Sequence, residues 1–197
     1  MKRLIPALVS VMFLCAANLE AVPITFQAIL LGANENPAVP TPGTGTAFVT
    51  YDSTTHTYFV SVTWTNLVGT TTVSHIHCCT PPTGNAGVAT FPGTFPGFPV
   101  GVSSGSYTSG LIDLTNPASY TSTFLSGPGG GTAAGAEAAL VAGILAGQAY
   151  FNIHSTFAPG GEIRGTLVPV PEPATIGLFA IGLAGLALAW TRRRPKR

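Results

Sequence analysis

The chain has 197 residues and a formal net charge of +1, but its charges are distributed unevenly. Residues 23–168 contain five acidic residues and a single basic residue, Arg164, whereas the other basic residues lie near the two ends. This central segment lacks the basic surface that a nucleic-acid-binding protein needs to neutralise phosphates, which excludes that class.

The first segment, residues 1–21, has the three-part pattern of a secretory signal peptide. Lys2 and Arg3 precede an apolar run, and small residues follow that run. We expect this segment to be removed during export. The domain that remains, residues 23–168, is rich in Gly, Pro, Ser, Thr and Val and poor in charged residues. Such a composition favours short strands joined by turns.

Alternating apolar residues predict the first three strands of this domain. The first strand covers residues 24–30, and a hairpin follows, with strands at 46–51 and 58–64. Residues 52–56 form the polar turn of this hairpin. We therefore expect His56 to lie in solvent without a functional role.

Half of the histidines and two of the three cysteines lie in the segment 74–79. On a strand, His75 and His77 point to the same face because side chains alternate with a period of two residues. Cys78 and Cys79 then lead into a Pro/Gly-rich loop. In an oxidising compartment these neighbours could form a vicinal disulfide, bind a metal beside His77, or pair with another chain. The mature chain has no third cysteine, which favours the disulfide.

The loop after this strand carries Phe91, Phe95 and Phe98 among prolines and glycines. This composition excludes a regular strand or helix. Two alternatives follow: the rings cover the core as buried aromatics, or they form an exposed loop that contacts a partner. Beyond this loop, residues 107–114 predict another strand.

An Ala-rich segment, residues 133–148, is the one helical candidate, because its larger apolar residues recur at helical spacing. Two closing strands are predicted at 149–155 and 162–168, joined by a tight turn at 159–161. The first of these strands carries His154, the third histidine of the domain that lies on a predicted strand.

These strands place several candidate ligands within reach of one another. If the fold brings them together, we expect a metal site with nitrogen and oxygen donors, which suit zinc or copper: His75, His77, His154 and Glu162. The alternative is structural. In that case the histidines hydrogen-bond to Asn152 and Glu162, and Arg164 pairs with a carboxylate such as Glu35.

The C-terminal segment is distinct from the domain. Residues 169–173 form a proline-rich linker, and residues 174–190 form an uncharged apolar run that spans roughly 26 Å as a transmembrane helix. A basic tail, residues 191–197, follows directly. By the positive-inside rule this tail stays cytoplasmic and the domain lies outside, in agreement with the signal peptide.

The linker, the apolar run and the basic tail together resemble the PEP-CTERM sorting signal of Gram-negative bacteria. The sorting motif itself is Pro171, Glu172 and Pro173. The resemblance implies recognition by an exosortase and anchoring in the membrane through residues 174–190 before processing. It also implies delivery to the cell envelope or the extracellular matrix.

Five motifs between Phe26 and Leu167 together resemble the CHRD domain, first named from chordin: Leu31–Pro37, Gly45–Ala47, Ser74–His77, Ala149–His154 and Pro159–Gly165. Where the family pattern has Gly after the second histidine, this chain has Cys78 and Cys79. The resemblance implies a domain without an established enzymatic activity.

We therefore predict an all-β fold, a β-sandwich with one short helix, between a signal peptide and a transmembrane helix. The expected function is that of an exported, non-catalytic envelope or matrix protein. Its domain would bind a protein or polysaccharide partner, with Phe91, Phe95 and Phe98 as the contact surface. The alternative is a zinc or copper protein with redox chemistry. Two imidazoles on one face of a strand in a small β-sandwich are similar to the arrangement in copper/zinc superoxide dismutase. This similarity is one of fold and implies no activity by itself.

Overall fold

A computed structural model describes residues 22–81, 83–171, 181–183 and 185. The predicted signal peptide, most of the predicted membrane helix and the basic tail lie outside the described residues, as do Glu172 and Pro173 of the sorting motif. Within the described ranges, no helix is long and apolar enough to cross a membrane.

Strands dominate the described domain. They are β1 (Ile24–Leu31), β2 (Thr44–Asp52), β3 (Thr57–Thr65), β4 (Thr71–Cys78), β5 (Gly105–Thr108), β6 (Ile112–Asp113), β7 (Ala149–Ser155), β8 (Ile163–Thr166) and β9 (Val168–Pro169). The predicted first strand, the hairpin and the first closing strand are confirmed. The predicted strand at 107–114 is divided into β5 and β6, and the second closing strand into β8 and β9.

The strands form one curled antiparallel sheet with the order β4-β7-β8-β1-β2-β3-β5. A sandwich of two separate sheets was expected, and β8 is the reason that the sheet is continuous. One edge of β8 pairs with β7, and its other edge pairs with β1 through Arg164 and Leu31. The strands that carry the histidines are thereby joined to the hairpin.

The described domain has more helix than the single one expected. The predicted helix is confirmed as α2 (Ala133–Leu145), and Thr132 caps it by accepting a hydrogen bond from the Gly135 N–H. It ends before Gln148 because Gly147 adopts a left-handed conformation, with φ of 68°, that glycine tolerates. A short helix, α1 (Ser122–Ser126), and two 3-10 turns (Gly32–Asn34 and Pro117–Ser119) were not predicted.

The concave side of the sheet encloses the hydrophobic core. Alternate residues of β1, β2 and β3 point inward because side chains on a strand alternate between its two faces. Helix α2 covers this face with a stripe of residues four positions apart. The buried residues of these elements are Phe26, Ala28, Leu30, Ala47, Val49, Tyr58, Val60, Val62, Trp64, Ala136, Leu140 and Ile144.

The phenylalanine loop belongs to this core. Phe95 is fully buried and stacks on Phe151 with 5.8 Å between ring centroids, and Phe98 stacks on Trp64 at 5.1 Å. Phe91 is partly buried against Phe95. The rings therefore cover the core, and this corrects the expectation that they form a contact surface for a partner. Rings in these positions gain more by leaving water than an exposed loop would allow.

Cys78 and Cys79 form a disulfide with each other at the end of β4. Their sulfur atoms lie against Gly143 of α2, where an added Cβ would collide with both of them. A glycine in the middle of a helix costs about 1 kcal/mol relative to alanine. At this position it allows the helix to approach the disulfide.

Candidate metal centre

Three histidines lie on one face of the neighbouring strands β4 and β7. His75 and His77 are two residues apart on β4, so both point to this face. In the register of the pair, His75 faces Asn152 and Val73 faces His154, which places His154 diagonally across from His75. The opposite face of the same strands, with Ile76 and Phe151, is fully buried in the core.

Each imidazole donates one hydrogen bond to a backbone carbonyl of a covering loop. His75 Nε2 donates to the Gly93 carbonyl at 2.6 Å, and His77 Nδ1 donates to the Ala86 carbonyl at 2.9 Å. His154 Nδ1 donates to the Pro159 carbonyl, also at 2.9 Å. A carbonyl oxygen can only accept, so these contacts fix which nitrogen of each ring carries the hydrogen.

The other nitrogen of each neutral ring therefore presents a lone pair. One candidate ligand atom from each histidine lies within 4.8 Å of the other two. His77 Nε2 and His154 Nε2 are 3.4 Å apart, and neither has a hydrogen to donate to the other. His75 Nδ1 is buried and has no hydrogen-bond partner in the described chain. A cation stabilises lone pairs that face each other, as those of His77 and His154 do, and the third imidazole lies within reach of the same ion.

The geometry also matches the size of a transition-metal site. Zinc–nitrogen bonds of about 2.0–2.1 Å place two ligands of a tetrahedral ion about 3.3 Å apart. The separation of 3.4 Å between His77 Nε2 and His154 Nε2 fits this value, and the candidate ligand atoms of all three histidines lie within 4.8 Å of one another. In such sites the ring nitrogen that does not bind the metal usually donates its hydrogen to a carbonyl or carboxylate, as these rings do.

Burial keeps the three rings neutral at neutral pH. Removal from water lowers the pKa of His75 and of His77 from 6.5 to about 4, and it also lowers the pKa of His154. The hydrogen bonds to the carbonyls oppose this shift only in part. An unprotonated imidazole is the form that binds metal, so no proton has to leave at pH 7.

Acid should destabilise the metal-free protein between pH 6.5 and pH 4. The unfolded chain binds protons at these histidines below pH 6.5, whereas folded His75 and His77 bind them only near pH 4. The stability they contribute is thus present above pH 6.5 and lost as the pH falls, on the order of several kcal/mol in total. Glu35, whose pKa is raised to about 7, acts in the opposite direction but is a single group.

The measurement is the urea midpoint of chelator-treated protein at pH 7, 5.5 and 4. Replacement of His75 and His77 by glutamine should flatten the profile. A midpoint in the unmodified protein that does not change between pH 7 and pH 4 would contradict the assignment of neutral, buried rings.

Glu162, the fourth predicted ligand, lies outside this cluster. Its carboxylate is fully buried and accepts hydrogen bonds from Thr41 Oγ1, from Ser155 Oγ and from two loop amides, those of Val68 and Gly69. Burial alone would raise the pKa of Glu162, but these donors together hold it below its usual value. These hydrogen bonds connect the segments that carry the donors. Because both of its oxygens already accept hydrogen bonds, Glu162 is not placed to bind the metal.

The alternative partner predicted for Arg164 is confirmed. Arg164 Nε lies 3.7 Å from Glu35 Oε2 and donates to the Asn34 carbonyl at 2.5 Å, while its guanidinium lies 4.5 Å from the centre of the Tyr150 ring. Tyr150 stacks in turn on His77 at 4.8 Å. The ion pair is therefore connected to the histidine cluster through one aromatic ring.

Asn152 was expected to hydrogen-bond to the histidines, but loop carbonyls take that role. Asn152 Oδ1 and Glu35 Oε1 are both buried without a partner among the described residues. Both atoms lie beside Gly161, where an added Cβ would collide with the Asn152 amide. Burial raises the pKa of Glu35 to about 7 despite the charge of Arg164, so Glu35 carries a proton for part of the physiological range.

His56 makes a contact that its position in the turn did not indicate. Half of its side chain is exposed, but Nδ1 lies 3.0 Å from the Glu137 carboxylate on α2. Glu137 also accepts a hydrogen bond from the Tyr51 hydroxyl at 2.7 Å. Glu137 is the single charged residue of α2, and a lone charge in an apolar helix indicates a polar partner elsewhere in the fold. Its contact with His56 attaches α2 to the hairpin.

Comparison with known proteins gives two matches to family models. A model of the CHRD domain matches residues 26–167, and a model of the PEP-CTERM protein-sorting motif matches residues 169–194. The chain matches no curated protein and no solved structure. All three histidines of the cluster lie inside the CHRD match.

Proposed function

Because the chain belongs to the CHRD domain family and ends in a PEP-CTERM sorting motif, we propose that it is an exported metal-binding protein of the cell envelope. The sorting motif implies export that depends on an exosortase, with anchoring in the membrane before processing. The metal in this proposal is zinc or copper, and its ligands are His75, His77 and His154.

A single observation carries the proposal: two imidazole lone pairs face each other with no hydrogen between them, and a third buried imidazole lies beside them. His77 Nε2 and His154 Nε2 face each other at 3.4 Å, although both rings already donate through Nδ1. His75 Nδ1 has no other partner in the described chain. Without a cation these atoms pay the cost of burial without compensation, about 1–3 kcal/mol for each unsatisfied group.

The ligand set determines what an ion could do at this site. Three imidazoles are a donor set that both zinc and copper accept, and a tetrahedral ion would keep its fourth position open. Bound zinc would supply a Lewis acid, and bound copper would supply redox chemistry of the superoxide dismutase type. The protein residues fix the ring orientations through three loop carbonyls and exclude most water from the rings.

The test is the metal content of the full-length protein after export to the periplasm of a host supplied with zinc and copper. Elemental mass spectrometry should find about one zinc or copper ion per chain, and electron paramagnetic resonance would identify copper(II). A correctly folded protein with no stoichiometric metal, which also fails to take up zinc or copper on titration, would overturn the proposal.

We also propose that the domain binds a partner after export, either a polysaccharide or a protein of the envelope or matrix. This second role is supported by the surface composition. The outward positions of β2, β3 and β5 carry Thr, Ser and Phe, and the domain has a single basic residue. Phe95 and Phe98 are buried, so the candidate contact surface is this outer face and not the phenylalanine loop.

A further inference from the structure

The outer face of the sheet contains a groove that crosses four strands. Two clefts, of 840 Å³ and 450 Å³, meet at Ile29, a residue of β1 with 52% of its surface exposed. The larger cleft extends from Ile29 toward β8, and the smaller one extends over β2 and β3. We call the two together the outer groove. Its central residues are Gln27, Ile29, Thr44, Thr46, Thr63, Thr65 and Thr166.

The side chains of the outer groove are mostly hydroxyls, amides and aliphatic groups, with the aromatic residues Tyr150 and Trp64 also in the lining. Its charged members are Glu35 and Arg164, which lie at one end, are both buried and pair with each other. The solvent faces of antiparallel sheets are the usual place for lysine and glutamate. A groove without an exposed charged side chain gives little electrostatic attraction to an ionic polymer.

The threonines form a regular pattern of hydroxyls. Thr44 faces Thr65 and Thr46 faces Thr63 in the register of β2 and β3. Facing residues lie about 4.5–5.5 Å apart, and next-but-one residues on a strand about 7 Å apart. Beside this square of hydroxyls lies Phe48, which is 38% exposed. Hydroxyl partners beside an exposed aromatic ring suit a sugar, which has hydroxyl groups at its edge and an apolar face.

We infer that the outer groove binds an extended, uncharged polysaccharide chain that lies across the strands. From β8 to β3 the groove spans about 15 Å, which is longer than a single sugar ring requires. A peptide is less suited, because β1 and β2 are paired on both sides and offer no free edge for an added strand. This inference rests on the proposed partner binding and names the partner class.

The test compares two arginine substitutions at exposed apolar positions. Ile29→Arg places a long charged side chain in the middle of the groove, whereas Leu111→Arg makes the same chemical change at a residue that is 78% exposed and does not line the groove. Full-length protein in a polyoxyethylene detergent is run through native gels that contain an uncharged β-1,3-glucan, an uncharged β-1,4-glucan or the polyuronate alginate.

We expect an uncharged glucan to retard the unmodified protein and Leu111→Arg equally, and to bind Ile29→Arg roughly tenfold or more weakly. Alginate, a polyanion that the basic tail can bind, should retard the two arginine variants equally, because this attraction does not involve the groove. If Ile29→Arg fails to fold, as judged by circular dichroism, Thr63→Arg at the exposed surface of β3 replaces it.

Three results would overturn the inference: no retardation by either glucan, a loss of alginate retardation in Ile29→Arg as large as its loss of glucan binding, or equal glucan binding by the two arginine variants. The proposed partner would then be a protein and not a polysaccharide. Metal content is measured in the same samples and should be unchanged in both variants. The failure of the groove and the failure of the metal site are thus distinguishable.

Discussion

Replacement of His77 by alanine should remove the metal ion and leave the domain folded. His77 is the central ligand of the cluster, since its Nε2 faces His154 at 3.4 Å and its ring follows His75 on the same strand. Loss of one of three ligands should weaken binding by about two orders of magnitude or more. The measurement is the affinity for zinc by competition with a chromophoric chelator.

The matched control is His56→Ala, which removes a half-exposed histidine from outside the cluster. It should leave zinc affinity unchanged. Circular dichroism and a thermal melt of the chelator-treated proteins separate a lost ligand from a lost fold. If His77→Ala bound zinc as tightly as the unmodified protein, or if it unfolded while the protein with intact histidines proved metal-free, the cluster would be structural.

Replacement of Glu162 by alanine should cause a large loss of stability and no direct loss of metal ligation. The buried carboxylate accepts hydrogen bonds from the amides of Val68 and Gly69 at 2.6 Å and 3.2 Å and from two hydroxyls. Alanine leaves these donors buried without an acceptor. We expect the free energy of unfolding to fall by about 4 kcal/mol, and the melting temperature by roughly 10 °C.

Glu162→Gln is the informative companion, because it keeps the shape of the side chain and one acceptor oxygen. It should lose less stability than Glu162→Ala and should bind zinc with unchanged affinity. A large drop in zinc affinity in a fully folded Glu162→Gln protein would return the carboxylate to the ligand set that the sequence predicts. Urea denaturation of the chelator-treated proteins gives the stability comparison.

The local pattern of the sequence predicted β1, β2 and β3 well because buried and exposed residues alternate along each of them. The hairpin of β2 and β3 and the shared face of His75 and His77 follow directly from that period. Continuity of the sheet could not be predicted, because it depends on the pairing of the short strand β8 with both β7 and β1. Such pairing is a long-range choice that leaves no mark in a local pattern.

Only part of the candidate site could be predicted, because the rest depends on contacts between distant segments. Three histidines on strands could be placed on one face, but Glu162 precedes β8 and its direction depends on the loops that contact it. The partners of the imidazoles could not be predicted at all. They are main-chain carbonyls of Ala86, Gly93 and Pro159, and any residue type can supply that group.

That choice of partner has a consequence for how the domain can change over evolutionary time. A side-chain partner is lost with a single substitution, whereas a carbonyl persists through almost every substitution at its position. Residues 86 and 159 are therefore free to vary in side chain as long as the loop backbone keeps its path, whereas Gly93 has a φ of 109° that favours glycine. Related chains should preserve the three histidines, the loop lengths and the glycine at position 93 more strictly than the residue types at positions 86 and 159.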